Sequence, residues 1–235
     1  MMETSATAGK TAAAKPAADR RPIATRSARW AQRLAAWLTT TPVTPNQISL
    51  LSAVWAAIGG VLLLQGGVLA WIGAALCVQL RLVCNLLDGM VAVEGGKGSP
   101  VGALYNEIPD RIADTAFLVP LGYAAGLPWL GWAAALAAMM TAYIRTFGGA
   151  LGLAQDFGGV MAKQRRMAAL TVALLAQAVE HALWGTSYSL LAAAWIIMAG
   201  SLLTVATRTL GIARRLNAQH LEAQHLEALE PEVRS

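Results

Sequence analysis

Charge is what this 235-residue sequence has least of. Only 13% of it is Asp, Glu, Lys or Arg, against 56% hydrophobic residues, where a soluble domain is about a quarter charged. That shortfall excludes an ordinary soluble globular protein. Cysteine is almost missing: Cys77 and Cys84 lie seven apart in one apolar run, which excludes a disulfide framework and predicts two buried thiols. The first residues lack the central apolar stretch of a signal peptide, so none is expected. A basic face is lacking too. The net charge is +5, but the Lys and Arg residues cluster near the N-terminus and between apolar runs. That distribution belongs to an anchor at a membrane's inner leaflet, and no nucleic-acid partner is expected.

What the sequence has is lipid-compatible length. Mean hydropathy is +0.51, and apolar runs long enough to cross a bilayer recur from Ile48 to Ala213. Residues 1–22, rich in Ala, Thr, Lys and Pro, are read as a disordered arm. Residues 23–40 follow as an amphipathic juxtamembrane helix, with Arg26, Arg29 and Arg33 set against Trp30, Leu34, Ala35, Trp37 and Leu38 at helical spacing. A helix packing on its own protein is the alternative. Thr41-Pro42-Val43-Thr44-Pro45-Asn46 breaks that helix, with Asn46 as the expected cap of the next.

Six spans are expected over 41–213: Ile48–Gln65, Val68–Ala92, Val101–Ala125, Leu127–Leu153, Met167–Trp184 and Tyr188–Ala213. The fold class is therefore an all-α membrane protein with six transmembrane helices and an N-terminal interfacial helix. Three of the connections hold no Lys or Arg. Those containing Lys97 and the Lys163, Arg165 and Arg166 group do, as do both termini. The positive-inside rule puts both termini and the Lys97 loop in the cytoplasm, with the spans in the inner membrane. Residues 214–235 form a cytoplasmic tail that repeats Gln-His-Leu-Glu-Ala, read as a short exposed helix with no chemistry of its own.

The chain is organised around Asn85–Asp114. Asn85 and Asp88 are three apart; Asn106, Asp110 and Asp114 are four apart, so each set shares a helical face. Two helices joined by the glycine-rich turn between them would bring the faces together as an oxygen-lined pocket. Acids at membrane depth are expensive and usually functional. Converging Asp and Asn oxygens suit a hard divalent ion, Mg²⁺ or Mn²⁺, bound together with substrate phosphates. Ion transport is a weaker reading, because these acids lie at one membrane face rather than at the midplane.

The stretch resembles the signature of the CDP-alcohol phosphatidyltransferases, a run of Asp, Asp-Gly, Ala-Arg, Gly, Asp and Asp at fixed spacing. Here Asn85, Asp88, Gly89, Ala92, Val93, Gly102, Asn106 and Asp110 occupy its eight positions over 26 residues with the spacing intact. Thr44-Pro45-Asn46-Gln47-Ile48-Ser49 is also similar to the start of the family's first span. Three positions depart from the pattern: Asn85 and Asn106 stand for aspartates and Val93 for arginine. Where the family holds two ions with four carboxylates, two carboxylates remain.

The resemblance implies a transferase of phospholipid biosynthesis that moves a phosphatidyl group from CDP-diacylglycerol or another CDP-alcohol to an alcohol acceptor, releasing CMP. It implies metal ligands at Asn85, Asp88, Asn106 and Asp110, with Asp110 also the catalytic base. Gly89, Ala92 and Gly102 would border the nucleotide, and a homodimer is implied. Arg145, Lys163 and Arg166 are the candidates for an acceptor phosphate; membrane topology alone is the other explanation for them. The two asparagines also suit a catalytically lapsed member that keeps the fold as a membrane binding protein.

Overall fold

A computed structural model describes residues 28–233, with side chains described to residue 225. The arm over 1–22, the first residues of the amphipathic segment and the end of the tail lie outside the described residues. Among those described there are seven helices and no strand: α1 (Arg29–Thr39), α2 (Pro45–Gln65), α3 (Val68–Val93), α4 (Gly102–Ala124), α5 (Pro128–Ala150), α6 (Lys163–Trp184) and α7 (Tyr188–Val233).

Helix α1 shows the packing on its own protein that the sequence left as the alternative. It packs on α3 through Ala31 and Ala35, whose small side chains allow close approach, and it leaves Trp30 and Trp37 exposed. Lys97, from the α3–α4 turn, donates to the Thr41 carbonyl at 2.6 Å and to the Leu38 carbonyl at 3.4 Å. That ammonium satisfies carbonyls left open at the C-terminal end of α1. The cap of α2 is Thr44, not Asn46. Thr44 accepts from the Gln47 amide while the Gln47 side chain accepts from the Thr44 amide, a capping box, and Pro45 takes the first helical position.

Among the described residues four helices are long and apolar enough to cross a membrane: α2, α3, α6 and α7 over Tyr188–His225. The expected third and fourth spans, α4 and α5, fall outside that group for readable reasons. Helix α4 carries Glu107, Asp110, Arg111 and Asp114, and α5 is diluted by Trp129, Trp132, Tyr143 and Arg145. Both are as long as their neighbours and packed among them: α4 lies on α2 and α5, and α5 on α7. Two crossings rely on missing side chains. A Cβ at Gly60 would strike the Ala116 carbonyl of α4, and one at Gly131 would lie 2.8 Å from the Gly122 Cα. Small residues let membrane helices approach this closely.

The tail is not a separate helix. Helix α7 runs unbroken across the expected boundary at residue 214 into the Gln-His-Leu-Glu-Ala repeat. The intervening Ala213-Arg214-Arg215-Leu216-Asn217-Ala218 contains no Pro or Gly to stop it. Arg208 of α7 donates to the Thr141 carbonyl of α5 at 2.5 Å and to the Gly158 carbonyl at 2.7 Å, tying two helices to the α5–α6 loop.

Candidate active site

At the α3–α4 end of the bundle a cavity of about 720 Å³ opens between α1, α2, α3, α4, α5 and the start of α6. The size suits a small-molecule ligand. Helical spacing puts Asn85, Asp88, Gly89 and Ala92 of α3 on one wall and Gly102, Asn106 and Asp110 of α4 on another. Arg145 and Lys163 complete it. Nine of the ten residues singled out in the sequence therefore share one cavity. The tenth, Arg166, is 1% exposed and lies behind the wall, where it bonds Asp114 at 2.5 Å and the Met161 carbonyl at 3.1 Å.

The acids are met in three different ways. Asp88 accepts from the buried Ser49 hydroxyl of α2 at 2.5 Å. Asp110 faces three cations. Lys163 bonds its Oδ1, Arg81 stands 3.6 Å from the same oxygen, and Arg111 stands 3.7 Å from Oδ2. Asp114, one turn further in, is held by Arg81 at 2.8 Å and Arg166 at 2.5 Å, all three at most 3% exposed. Bringing these charges out of water is tolerable because Asp110 and Asp114 are each paired with cations.

Arg81 pairs with Asp114 and Asp110 and not with Glu107, because Arg81 and Asp114 both lie deeper in the bundle than Glu107. Glu107 pairs with Arg145 at 2.6 Å. Arg145 also bonds Gln155 and lies 5.1 Å over the Phe157 ring. Ser49, Gln155 and Phe157 are cavity residues that sequence reasoning passed over. Ser49 stands in the quoted Thr44–Ser49 segment, which was a signal available to find it. The other two lie in the loop after α5 and carried none.

The donor set can be tested for a metal. Two carboxylates, Asp88 and Asp110, and two amides, Asn85 and Asn106, line the cavity from facing helices. The Asn85 Nδ2 is buried without a hydrogen-bond partner among the described residues, so this amide keeps an unsatisfied polar atom at the cavity wall. Among the described residues no three Asp, Glu, His or Cys side chains cluster as a metal site. Oxygen donors of this number and charge fit one hard divalent ion that draws further ligands from a phosphate-bearing substrate. They do not supply the charge for two.

No protein-family model matches the chain. Phosphatidylinositol phosphate synthase of Corynebacterium glutamicum is 32% identical over 174 residues, spanning 71% of this chain and 76% of that protein. The protein of the same name from Mycobacteroides abscessus is 30% identical over 188 residues, 74% of this chain and 80% of that one. The phosphatidylinositol phosphate synthase of Mycobacterium tuberculosis, solved with CDP-DAG bound, superposes with a TM-score of 0.68 at 23% identity, covering 79% of this chain and 94% of that chain. Its structure with manganese and citrate gives a TM-score of 0.66 at 22% identity, covering 77% and 88%. At those identities the likeness is one of fold.

Proposed function

This chain belongs to the CDP-alcohol phosphatidyltransferase family, and we propose that it joins a CDP-activated lipid to a phosphorylated alcohol at the mouth of its α3–α4 end. The protein is a membrane transferase of phospholipid synthesis, with the reaction of its relatives. The observation that carries the site assignment is the shared cavity: the signature residues of α3 and α4 open onto the same space as Arg145 and Lys163. A diphosphate and a second phosphate have neighbouring places in it.

Asn85, Asp88, Asn106 and Asp110 would hold a divalent ion, Mg²⁺ or Mn²⁺, and manganese is what the solved M. tuberculosis protein carries. Such an ion neutralises the diphosphate and the charge on departing CMP. Gly89, Ala92 and Gly102 leave room along the nucleotide. Ser49 fixes the Asp88 carboxylate. Arg145 and Lys163 receive the acceptor's phosphate, and Arg166 supports them from behind by holding Asp114. Asp110 takes the proton of the attacking hydroxyl. The acceptor oxygen bonds the lipid-linked β-phosphorus, the bond to CMP breaks, and CMP leaves with the electron pair.

The names of the relatives and the two cavity cations together favour an inositol phosphate as the acceptor. With α4 and α5 counted as spans, six helices cross the inner membrane. The Lys97 and Lys163–Arg166 segments then put the site and both termini in the cytoplasm, and α1 lies on the inner surface. A homodimer is proposed from family membership.

The test is CMP release from CDP-diacylglycerol in membranes with Mg²⁺ or Mn²⁺. Inositol phosphate, glycerol phosphate and neutral alcohols are offered in turn, to wild type and to Asp110→Asn. Release with inositol phosphate, lost in the variant, is the expected result. No release with any acceptor would point to a binding protein that has kept only the fold. Titration of purified protein with Mn²⁺ in the presence of CDP-diacylglycerol, followed by electron paramagnetic resonance, is expected to end at one ion per chain. Restoring Asn85→Asp and Asn106→Asp together is expected to raise the count to two.

A further inference from the structure

Arg145 stands in a bracket of three side chains. Glu107 of α4 accepts from its Nη2 at 2.6 Å, Gln155 accepts from Nη1 through Oε1, and the Phe157 ring centre lies 5.1 Å from the guanidinium carbon. All four residues line the large cavity. A guanidinium carries five N–H donors, and these two bonds take one from each terminal nitrogen. Three remain for a phosphate, so the bracket aims the cation without using it up.

Gln155 differs in kind from Glu107. Its oxygen is neutral, and with one carboxylate already on Arg145 a second would cancel the charge that draws a phosphate. Because Arg145 can only donate, the oxygen of the Gln155 amide must face it, which leaves the two N–H groups of Nε2 over. The bond to Arg145 is the side chain's only one among the described residues. The half-buried side chain is held where it stands. A Cβ at Gly149, one turn after Arg145 on α5, would come within 3.2 Å of the Gln155 Cγ, so the glycine leaves the room that Gln155 uses. The loop on either side of it is tied to α7: the Ala154 carbonyl accepts from Arg215 at 3.5 Å and the Gly158 carbonyl from Arg208 at 2.7 Å.

We propose that Gln155 reads the acceptor, donating from Nε2 to a hydroxyl of the alcohol whose phosphate Arg145 holds. This rests on the transferase reading above and makes Gln155 a specificity-determining residue for ring polyol phosphates. A ring polyol has a hydroxyl on each free carbon and holds them in fixed directions. With its phosphate on Arg145 and one hydroxyl turned to the diphosphate, others are carried out to the side, toward the loop. Glycerol phosphate spends one hydroxyl in the attack and keeps only one more, on a flexible chain that must be ordered to reach Gln155.

The test compares two acceptors of equal charge. Purified full-length protein with CDP-diacylglycerol and Mn²⁺ is assayed for kcat/KM with inositol phosphate and with glycerol phosphate. Wild type is expected to favour inositol phosphate. In Gln155→Leu that preference is expected to shrink roughly tenfold, the scale of one hydrogen bond to a substrate hydroxyl, with the KM for CDP-diacylglycerol unchanged. Gln155→Glu, of the same size, is expected to weaken both acceptors, because its carboxylate offsets Arg145. Gly149→Ala crowds Gln155 while favouring the helix, and is expected to narrow the preference by a smaller factor. Arg165→Gln, an exposed neighbour that donates to the Gly159 carbonyl, is expected to behave as wild type. Equal falls for the two acceptors in Gln155→Leu would mean that Gln155 only positions Arg145; that overturns the proposal and leaves the transferase standing. So does a wild type that does not distinguish the two. If Gln155→Leu does not fold, Gly149→Ala decides, and an unchanged preference there overturns the proposal. Absence of CMP release with every acceptor would overturn the transferase reading, and this one with it.

Discussion

The two ends of the bundle each bury an acid, and they satisfy it by opposite means. At the α3–α4 end Asp110 is surrounded by cations from three helices: Arg81 of α3, Arg111 of α4 and Lys163 of α6. At the far end Glu180 of α6 has no cation among its recorded bonds and four neutral donors. The Thr186 hydroxyl and Tyr188 amide reach one oxygen at 2.5 and 2.7 Å, and the Ser189 amide and hydroxyl reach the other at 2.8 and 2.5 Å. Glu180 thus caps the start of α7 from the preceding helix, where open amides and the helix dipole favour a negative charge. All of its donors lie within ten residues and none opens onto the large cavity. A buried acid held by its own loop is a structural fixture. One held by a cation on a cavity wall stands where a ligand can reach both.

If that distinction is right, the acids should fail differently when neutralised. Asp110→Asn keeps an oxygen for Lys163 but removes the proton acceptor. CMP release should drop by roughly 10²–10⁴, with the folded protein still recovered from membranes. Asp114→Asn should do the reverse. It strips the counter-ion from two fully buried arginines, and leaving such charges uncompensated costs about 3–5 kcal/mol. The purified protein should melt at markedly lower temperature in detergent, while the fraction that stays folded at low temperature retains transfer. Equal loss of activity in folded Asp114→Asn would erase the contrast between these two acids, one turn apart.

Much of this was legible in the residues. Spacings of three and four fix which oxygens share a helical face, and that alone put Asn85, Asp88, Asn106 and Asp110 on one cavity. Hydropathy placed α2 to α6 to within a few residues of where they lie, but it ended α7 at Ala213 where the helix continues to Val233. Partner choice was not legible. The bonds that define the site join residues far apart in the chain: Ser49 with Asp88, Arg81 with Asp114, Lys163 with Asp110. Which pairs meet depends on how deep each side chain lies when helices cross, and no local pattern encodes depth. For the same reason Arg166, three residues from Lys163 and of equal promise by composition, turned out to face the interior.

The smallest effect is expected where the comparison began. Glu180→Gln keeps the size of the side chain and one oxygen acceptor, but its amide can no longer accept at both ends from four donors. At least one of the Ser189 or Tyr188 groups must then look to water or to a neighbour. The start of α7 should loosen, and hydrogen exchange at Tyr188 and Ser189 should speed up. The melting temperature should fall, by less than in Asp114→Asn, because no buried cation is left without a partner. Transfer and metal binding should not move, since nothing links this cap to the cavity at the other end of α6. A loss of transfer in Glu180→Gln at a temperature where the protein is folded would mean that α6 carries strain from one end to Lys163 at the other. The far end would then belong to the catalytic machinery and not merely to the scaffold.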